Sequence, residues 1–226
     1  MGDETMTVRQ TASRPEGLDD LLVVKLGGSS AATSDLHRWI AAMEAARRPL
    51  VLVPGGGPFA DTVRLQQPVI GFDDAAAHRM AIMAMELFGV ALASLGTRLR
   101  PASTGMEIVE ACHAGAIAVW MPARLTLADT RIPQDWTVTS DSLAAWLAAH
   151  LGGAPLALVK QVDVGGGRDL ADLVAEGIVD PALPAMLSPR TQLIVAGPAD
   201  LPGAAEIFAR GAALGHPVRR RAQAAA

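Results

Sequence analysis

Short apolar runs alternate along this chain with segments whose apolar residues recur every three or four positions, as buried strands alternating with amphipathic helices do. Leu21-Leu22-Val23-Val24-Lys25-Leu26 is the first run and ends in Gly27-Gly28, so a buried strand over 21–26 is expected. Ser34 opens a helical pattern with Leu36, Ile40 and Met43 on one face, running to about Arg48 before Pro49. Strands are then expected over 50–53, 116–120, 156–161 and 192–196, with an edge strand over 216–219. The intervening helices are expected over 59–66, from Asp73-Asp74 to about Leu95, over 106–113, over 142–150 behind Thr139-Ser140-Asp141, and over 203–210. Residues 164–190 read as loop with helical pieces.

Strand and helix alternate without an internal repeat or an interior linker, which predicts an α/β domain built on a mostly parallel sheet with helices on both faces. Its span is 20–220, flanked by polar, aperiodic segments at 1–19 and 221–226 that are expected to be disordered. Ligands of such sheets collect at the carboxyl ends of the strands. That rule draws attention to three places: Lys25 with Gly27-Gly28-Ser29, Pro54 with Gly55-Gly56-Gly57, and Lys160 with Gln161-Val162-Asp163.

Composition narrows the function classes. Half of the 226 residues are hydrophobic but only 4% are aromatic, so the core is made chiefly of Ala, Val, Leu, Ile and Met. A formal net charge of −4 disfavours a nucleic-acid partner, and the run Arg219-Arg220-Arg221 reads as a solvated end. With Cys112 the lone cysteine there is no internal disulfide and no cysteine zinc cluster. The five histidines are dispersed with no metal-ligand spacing, so no protein-bound metal is expected. The first 20 residues lack the apolar stretch of a secretory signal, and the apolar segment 75–95 is interrupted by His78, Arg79 and Glu86. No membrane span and a cytoplasmic location are therefore expected.

The lysines stand out against this background. Only Lys25 and Lys160 occur, beside seventeen arginines, and both close a predicted buried strand next to a turn. A lysine is a compact point charge on a slim stem, able to reach an anion from a narrow strand end where a planar guanidinium is too broad. The bland account is two chance lysines snorkelling to the surface. Gly27-Gly28-Ser29 and Gly55-Gly56-Gly57 each link a strand to a helix, where consecutive backbone N–H groups and the helix N-terminus can cradle phosphate. Neither loop fits the Walker A pattern or the dinucleotide fingerprint. Asp141 lies where a helix cap is wanted, but Ser140 can serve as cap and leave the aspartate free to orient a lysine.

Four ordered segments resemble the amino acid kinase superfamily: Val24-Lys25-Leu26-Gly27-Gly28-Ser29, Val53-Pro54-Gly55-Gly56-Gly57, Thr139-Ser140-Asp141-Ser142 and Val159-Lys160-Gln161-Val162-Asp163. The resemblance implies a three-layer αβα sandwich and phosphoryl transfer from ATP, with Mg2+ carried by the nucleotide. It implies that Lys25 neutralises the phosphoryl group in transfer, with Asp141 orienting the catalytic lysine. Gly27, Gly28 and Ser29 would touch the ATP phosphates, and Lys160 and Asp163 would lie on the nucleotide side. Gly55, Gly56 and Gly57 would lie against the acceptor. Homo-oligomerisation is also implied, and the helix over 75–95 offers an apolar face for it.

Three further segments, Pro58-Phe59-Ala60-Asp61-Thr62-Val63-Arg64, the stretch Ala77-His78-Arg79-Met80, and Trp136-Thr137-Val138-Thr139, are similar to the branch that phosphorylates an aminomethylfuran phosphate. By that resemblance Arg64 and His78 grip the acceptor's phosphate; otherwise Arg64 reads as a solvated helix face and His78 as a core histidine. Many members of the superfamily carry a further lysine after the nucleotide strand, yet residues 172–190 contain none. Lys160, Arg168 and Arg190 remain candidates for its charge. Other acceptors, such as a nucleoside monophosphate, isopentenyl phosphate or an acylated amino acid, stay open, as does a nucleotide-binding protein without turnover.

Overall fold

The computed structural model describes residues 16–32 and 34–220. The disorder expected for residues 1–15 and 221–226 lies outside the described residues. Leu18, inside the segment 1–19, is buried in the core, and the Leu21 N–H donates to its carbonyl at 3.0 Å.

Strand β1 (Leu22–Leu26) leads through a 3-10 turn (Gly28–Ala32) into α1 (Asp35–Glu44). Then come β2 (Leu50–Pro54), α2 (Gly57–Ile70), α3 (Asp74–Ala93), β3 (Leu99–Ala102), α4 (Gly105–His113), β4 (Ile117–Trp120) and the short α5 (Ala123–Thr126). The second half adds α6 (Ser140–His150), β5 (Leu156–Val159), α7 (Leu170–Ala175), α8 (Leu183–Met186) and β6 (Leu193–Ala196). A 3-10 segment (Pro198–Gly203), α9 (Ala204–Ala209) and β7 (His216–Pro217) complete it.

The seven strands lie in the order β3-β4-β2-β1-β5-β6-β7, all parallel except β7, which runs antiparallel along β6. Because successive side chains of a strand point to opposite faces, each strand feeds two cores. Leu22, Val24 and Leu26 of β1 join Ala157 and Val159 of β5 beneath α1 and α9, with Trp39, Met43 and Phe208. Val23 of β1 joins Leu156 and Leu158 of β5 on the other face, with Leu143, Ala144 and Leu147 of α6 and Ile108 of α4. The result is the three-layer αβα sandwich that was expected.

One strand was not foreseen. β3 has only Leu99 and Ala102 buried, with Arg100 and Pro101 facing out, so no apolar run marks it. It is an edge strand, where a proline costs no ladder hydrogen bond. Helix α2 also exceeds the expected 59–66 at both ends and continues past Pro68 to a left-handed Gly71. Helix α3 is, among the described residues, the one helix long and apolar enough to cross a membrane. Its inner side is already occupied: Ile82 and Met85 pack into one core, Phe88 and Leu92 into the other.

Candidate active site

The alternation of β1 and β5 decides where the two lysines go. Lys25 shares the parity of Val23, and Lys160 that of Leu156 and Leu158, so both face the layer that contains α6. Lys25 stands opposite Leu158 in the ladder, and Lys160 emerges just beyond the last residue of β5. The two ammonium groups therefore leave neighbouring strands at the same end and on the same face.

Between them lies Asp141. Its Oδ2 accepts a hydrogen bond from Lys160 Nζ at 2.7 Å, and its Oδ1 is 2.8 Å from Lys25 Nζ. The carboxylate is thus shared, one oxygen in ion-pair contact with each ammonium group. Lys25 is 5% exposed and Asp141 2%. Burial pushes the Asp141 carboxyl up, but the charges of Lys25 and Lys160 outweigh it and hold the group below its ordinary value. Lys160 is lowered, first by burial and then by the charge of Lys25, against the opposing pull of Asp141 and of Asp180. The cluster is thus rich in positive charge and poised for an anion.

Asp141 was expected beside a helix beginning at 142; instead α6 begins at Ser140 and Asp141 sits within its first turn. Thr139 is the N-cap, yet its side chain makes no capping bond of its own, and Ser140 is not the cap. The carboxylate is well placed at a positive helix terminus, and its side chain is turned to the lysines.

The two glycine turns press together. A Cβ on Gly28 would fall 2.1 Å from Gly57 N, and one on Gly55 would fall 2.3 Å from Gly28 N. Only bare backbone allows this approach, and Gly57 also takes a φ of +56°. Gly27 brings its backbone alongside Lys25: a Cβ there would stand 3.6 Å from the ammonium nitrogen. Ser30 Oγ accepts from Gln161 Nε2 at 2.7 Å, tying this turn to the end of β5.

A cleft of about 190 Å3 opens beside the turns, lined by Gly28, Ser29, Gly56, Gly57, Arg64 and His78, and closed by Trp136, Thr139 and Ser140. Gly55, Lys25, Asp141 and Lys160 are not in its walls; the ion-pair cluster adjoins it through the chain at Gly27-Gly28 and Ser140-Asp141. The Arg64 guanidinium lies 4.3 Å from the Trp136 ring centroid, a cation-π contact, and 3.5 Å from Asp61. Trp136 Nε1 donates to Gln67 Oε1 at 2.6 Å, and Gln67 Nε2 donates to Asp74 Oδ1 at 2.7 Å. His78 is buried; desolvation lowers its pKa against the opposing charge of Asp135, so the imidazole is neutral near pH 7.

Asp163 stands apart from the cleft. Its Oδ1 accepts from the Ala199 N–H at 2.8 Å, pinning the loop after β5 to the turn after β6. Arg168 pairs with Glu176 across 32%- and 50%-exposed side chains, and Arg190 contacts neither the lysines nor Asp141. The basic run is held rather than free at its start, since Arg219 donates to the Gly167 carbonyl and Arg220 to the carbonyls of Ser188 and Thr191. Arg221 lies outside the described residues.

Two residues of the site escaped sequence reasoning. Asp180, on the loop between α7 and α8, receives hydrogen bonds from residues 38 and 41 positions earlier, which leaves no local pattern to find. Trp136 was visible only as part of a motif. A tryptophan among loop residues, with an indole N–H needing a partner, was its available signal.

The structure is a mostly parallel αβα sandwich with paired cations and glycine turns at its strand ends. The Amino acid kinase family model matches residues 20–164, and the chain belongs to that family. It is 27% identical over 145 residues to the [5-(aminomethyl)furan-3-yl]methyl phosphate kinase of Methanocaldococcus jannaschii, a match covering 62% of this chain and 66% of that enzyme. Among solved structures, uridylate kinase from Archaeoglobus fulgidus is similar with a TM-score of 0.64 at 19% identity, over 88% of this chain and 99% of that one. Isopentenyl phosphate kinase is similar with a TM-score of 0.53 at 16% identity, over 88% and 100%. These two likenesses concern the fold.

Proposed function

We propose that this protein is an ATP-dependent phosphotransferase that moves the γ-phosphoryl of MgATP onto a phosphate oxygen of an aminomethylfuran-type acceptor. The observation that carries the reading is the pair of lysine ammonium groups held on one buried carboxylate beside two abutting glycine turns. Phosphoryl transfer needs positioning and neutralisation of spreading negative charge, with no covalent enzyme intermediate. Lys25 takes the charge of the group in flight, and Asp141 orients it together with Lys160. Lys160 supplies, from the end of β5, the charge that other family members draw from a lysine later in the chain. Gly27, Gly28 and Ser29 offer backbone and hydroxyl donors to the ATP phosphates, with Asp163 shaping the nucleotide side. Mg2+ comes with the nucleotide.

Gly55, Gly56 and Gly57 border the acceptor, whose phosphate is met by Arg64. His78, neutral, serves as a hydrogen-bonding partner rather than a second cation. Trp136 presents an aromatic face suited to a flat ring. The furan acceptor is favoured over other phosphates by the 27% identity to the enzyme named for it. An ADP-release assay with [5-(aminomethyl)furan-3-yl]methyl phosphate, UMP and isopentenyl phosphate tests this directly. ADP formation on the furan phosphate is expected, and activity on UMP alone would move the assignment to a nucleotide acceptor.

The proposal includes a cytoplasmic homo-oligomer. Helix α2 buries only Gly57 and Val63 of its 14 residues, while Leu65, Val69 and Ile70 are largely exposed. Met83, Leu87 and Val90 continue an apolar surface on the neighbouring α3. Patches of this kind are the usual mark of a contact surface. A monomer mass by light scattering at micromolar concentration would rule out the oligomer.

A further inference from the structure

One partly buried carboxylate collects four hydrogen bonds at the start of α6. Asp180 Oδ2 accepts from the backbone N–H of Thr139 at 3.0 Å, from the N–H of Ser142 at 2.9 Å and from the Ser142 hydroxyl at 2.9 Å. Its Oδ1 accepts from the Thr139 hydroxyl at 2.7 Å. Either hydroxyl is of a kind that could cap this helix locally. Both instead donate to a residue about forty positions later in the chain. The turn so gripped is the one that carries Asp141. A charged acceptor makes each of these bonds stronger than a neutral one would.

The charges complete the picture. Burial and the charge of Lys25 lower the Lys160 pKa, while Asp141 and, more weakly, Asp180 favour its charged form. Two ammonium groups against Asp141 leave an excess of positive charge, which Asp180 offsets only in small part.

We propose that Asp180 is a positioning residue for phosphoryl transfer: it locks the first turn of α6 so that Asp141 holds both lysines in place. This rests on the reading of the Lys25–Asp141–Lys160 cluster as the phosphoryl-transfer centre.

The test uses the fact that the chain has only two lysines. Selective 13Cε-lysine labelling gives one signal for each, assigned with Lys160→Arg, and their pH titration needs no substrate. Asp180 favours the charged form of Lys160, so removing its charge shifts that titration downward. In Asp180→Asn the Lys160 midpoint is expected to fall. The basic limb of kcat is expected to move to lower pH with it, and kcat at neutral pH to fall about 30-fold, since a small misplacement at such a centre is expensive. Asp180→Glu, which keeps the charge, should return the midpoint to its wild-type position while restoring kcat only in part. Folded Asp180→Asn with wild-type lysine titrations overturns the proposal, whether kcat falls or not, because a plain helix cap would leave them unmoved. Should Asp180→Asn fail to fold, Ser142→Ala carries the test: a roughly threefold drop in kcat is expected on losing one donor of four, and an unchanged kcat overturns the proposal. If the wild-type protein turns over no acceptor, the kinase reading fails, and the lysine titration still decides the place of Asp180.

Discussion

Replacing Asp141 with asparagine removes the one charge that both lysines share while keeping the shape of the side chain. In the native cluster the carboxylate lies 2.8 Å from Lys25 Nζ and 2.7 Å from Lys160 Nζ. At an effective dielectric near 20, unit charges roughly 4 Å apart interact by about 4 kcal/mol. Two attractions of that size are opposed by one repulsion between the ammonium groups. In Asp141→Asn both attractions vanish and the repulsion stays. Breaking a buried ion pair by removing one partner costs about 3–5 kcal/mol, and two partners are stranded here. Proton loss from Lys160, whose pKa is already lowered and would fall further, relieves a part of the strain that grows as the pH rises. The net loss at pH 7 is therefore placed at about 3–5 kcal/mol, on the order of 10 °C in Tm for a chain of this length.

The pH dependence has a definite sign. A lysine whose folded pKa lies below its unfolded value binds fewer protons folded than unfolded between the two, so stability rises with pH across that window. The deficit of Asp141→Asn should accordingly shrink from pH 7 toward pH 10, where Lys160 is neutral in the folded state and the repulsion is gone. In the wild type, the lowered pKa of Asp141 contributes stability that is present above its unfolded value near 4 and is lost as the pH falls through the folded one. Urea unfolding of both proteins at pH 7 and pH 9.5 measures this. Equal stability of the two at pH 7, or a gap that widens on raising the pH, would refute the electrostatic account of the cluster.

Lys25→Met separates activity from folding: it removes one cation, leaves Asp141 paired with Lys160, and should fold, yet lower kcat at least 1,000-fold in an ADP-release assay. Gly28→Ala forces a Cβ to within 2.1 Å of Gly57 N; thermal unfolding should show a loss of about 3 kcal/mol or more, with ATP binding weakened alongside. Arg64→Ala removes the cation stacked on Trp136 and should raise KM for the phosphorylated acceptor about tenfold with little change in KM for ATP, read from initial rates with each substrate varied.

Much of this could be read in the sequence because strand parity is a strong constraint. Val23 and Lys25 share a face, as do Leu156, Leu158 and Lys160, so a sheet that pairs β1 with β5 must deliver both lysines to one layer. The glycine turns were equally legible, although the structure gives Gly28 and Gly55 a further reason to lack side chains: the backbone of Gly57 lies against the first and that of Gly28 against the second. What escaped was information carried at a distance or by weak pattern. β3 shows two outward residues in four and no apolar run, and its identity comes only from pairing with β4. Asp180 acts on residues 38 and 41 positions earlier, beyond the reach of any local spacing rule. Leu18 lies among polar neighbours, and only tertiary packing shows that it belongs to the core.

The position of Lys160 bears on the missing lysine of residues 172–190. A cation arriving from a loop must be held there by contacts of its own, whereas one placed immediately after β5 inherits its direction from the sheet. Its nitrogen reaches Oδ2 of the same carboxylate whose Oδ1 lies against Lys25, so one aspartate sets the distance between the two ammonium groups. Arg168 is occupied with Glu176, and neither it nor Arg190 touches this cluster. The geometry therefore favours Lys160 over either arginine as the second cation. It makes one strong demand: arginine at 160, too broad for a carboxylate already shared with Lys25, should fail to replace it although the charge is conserved.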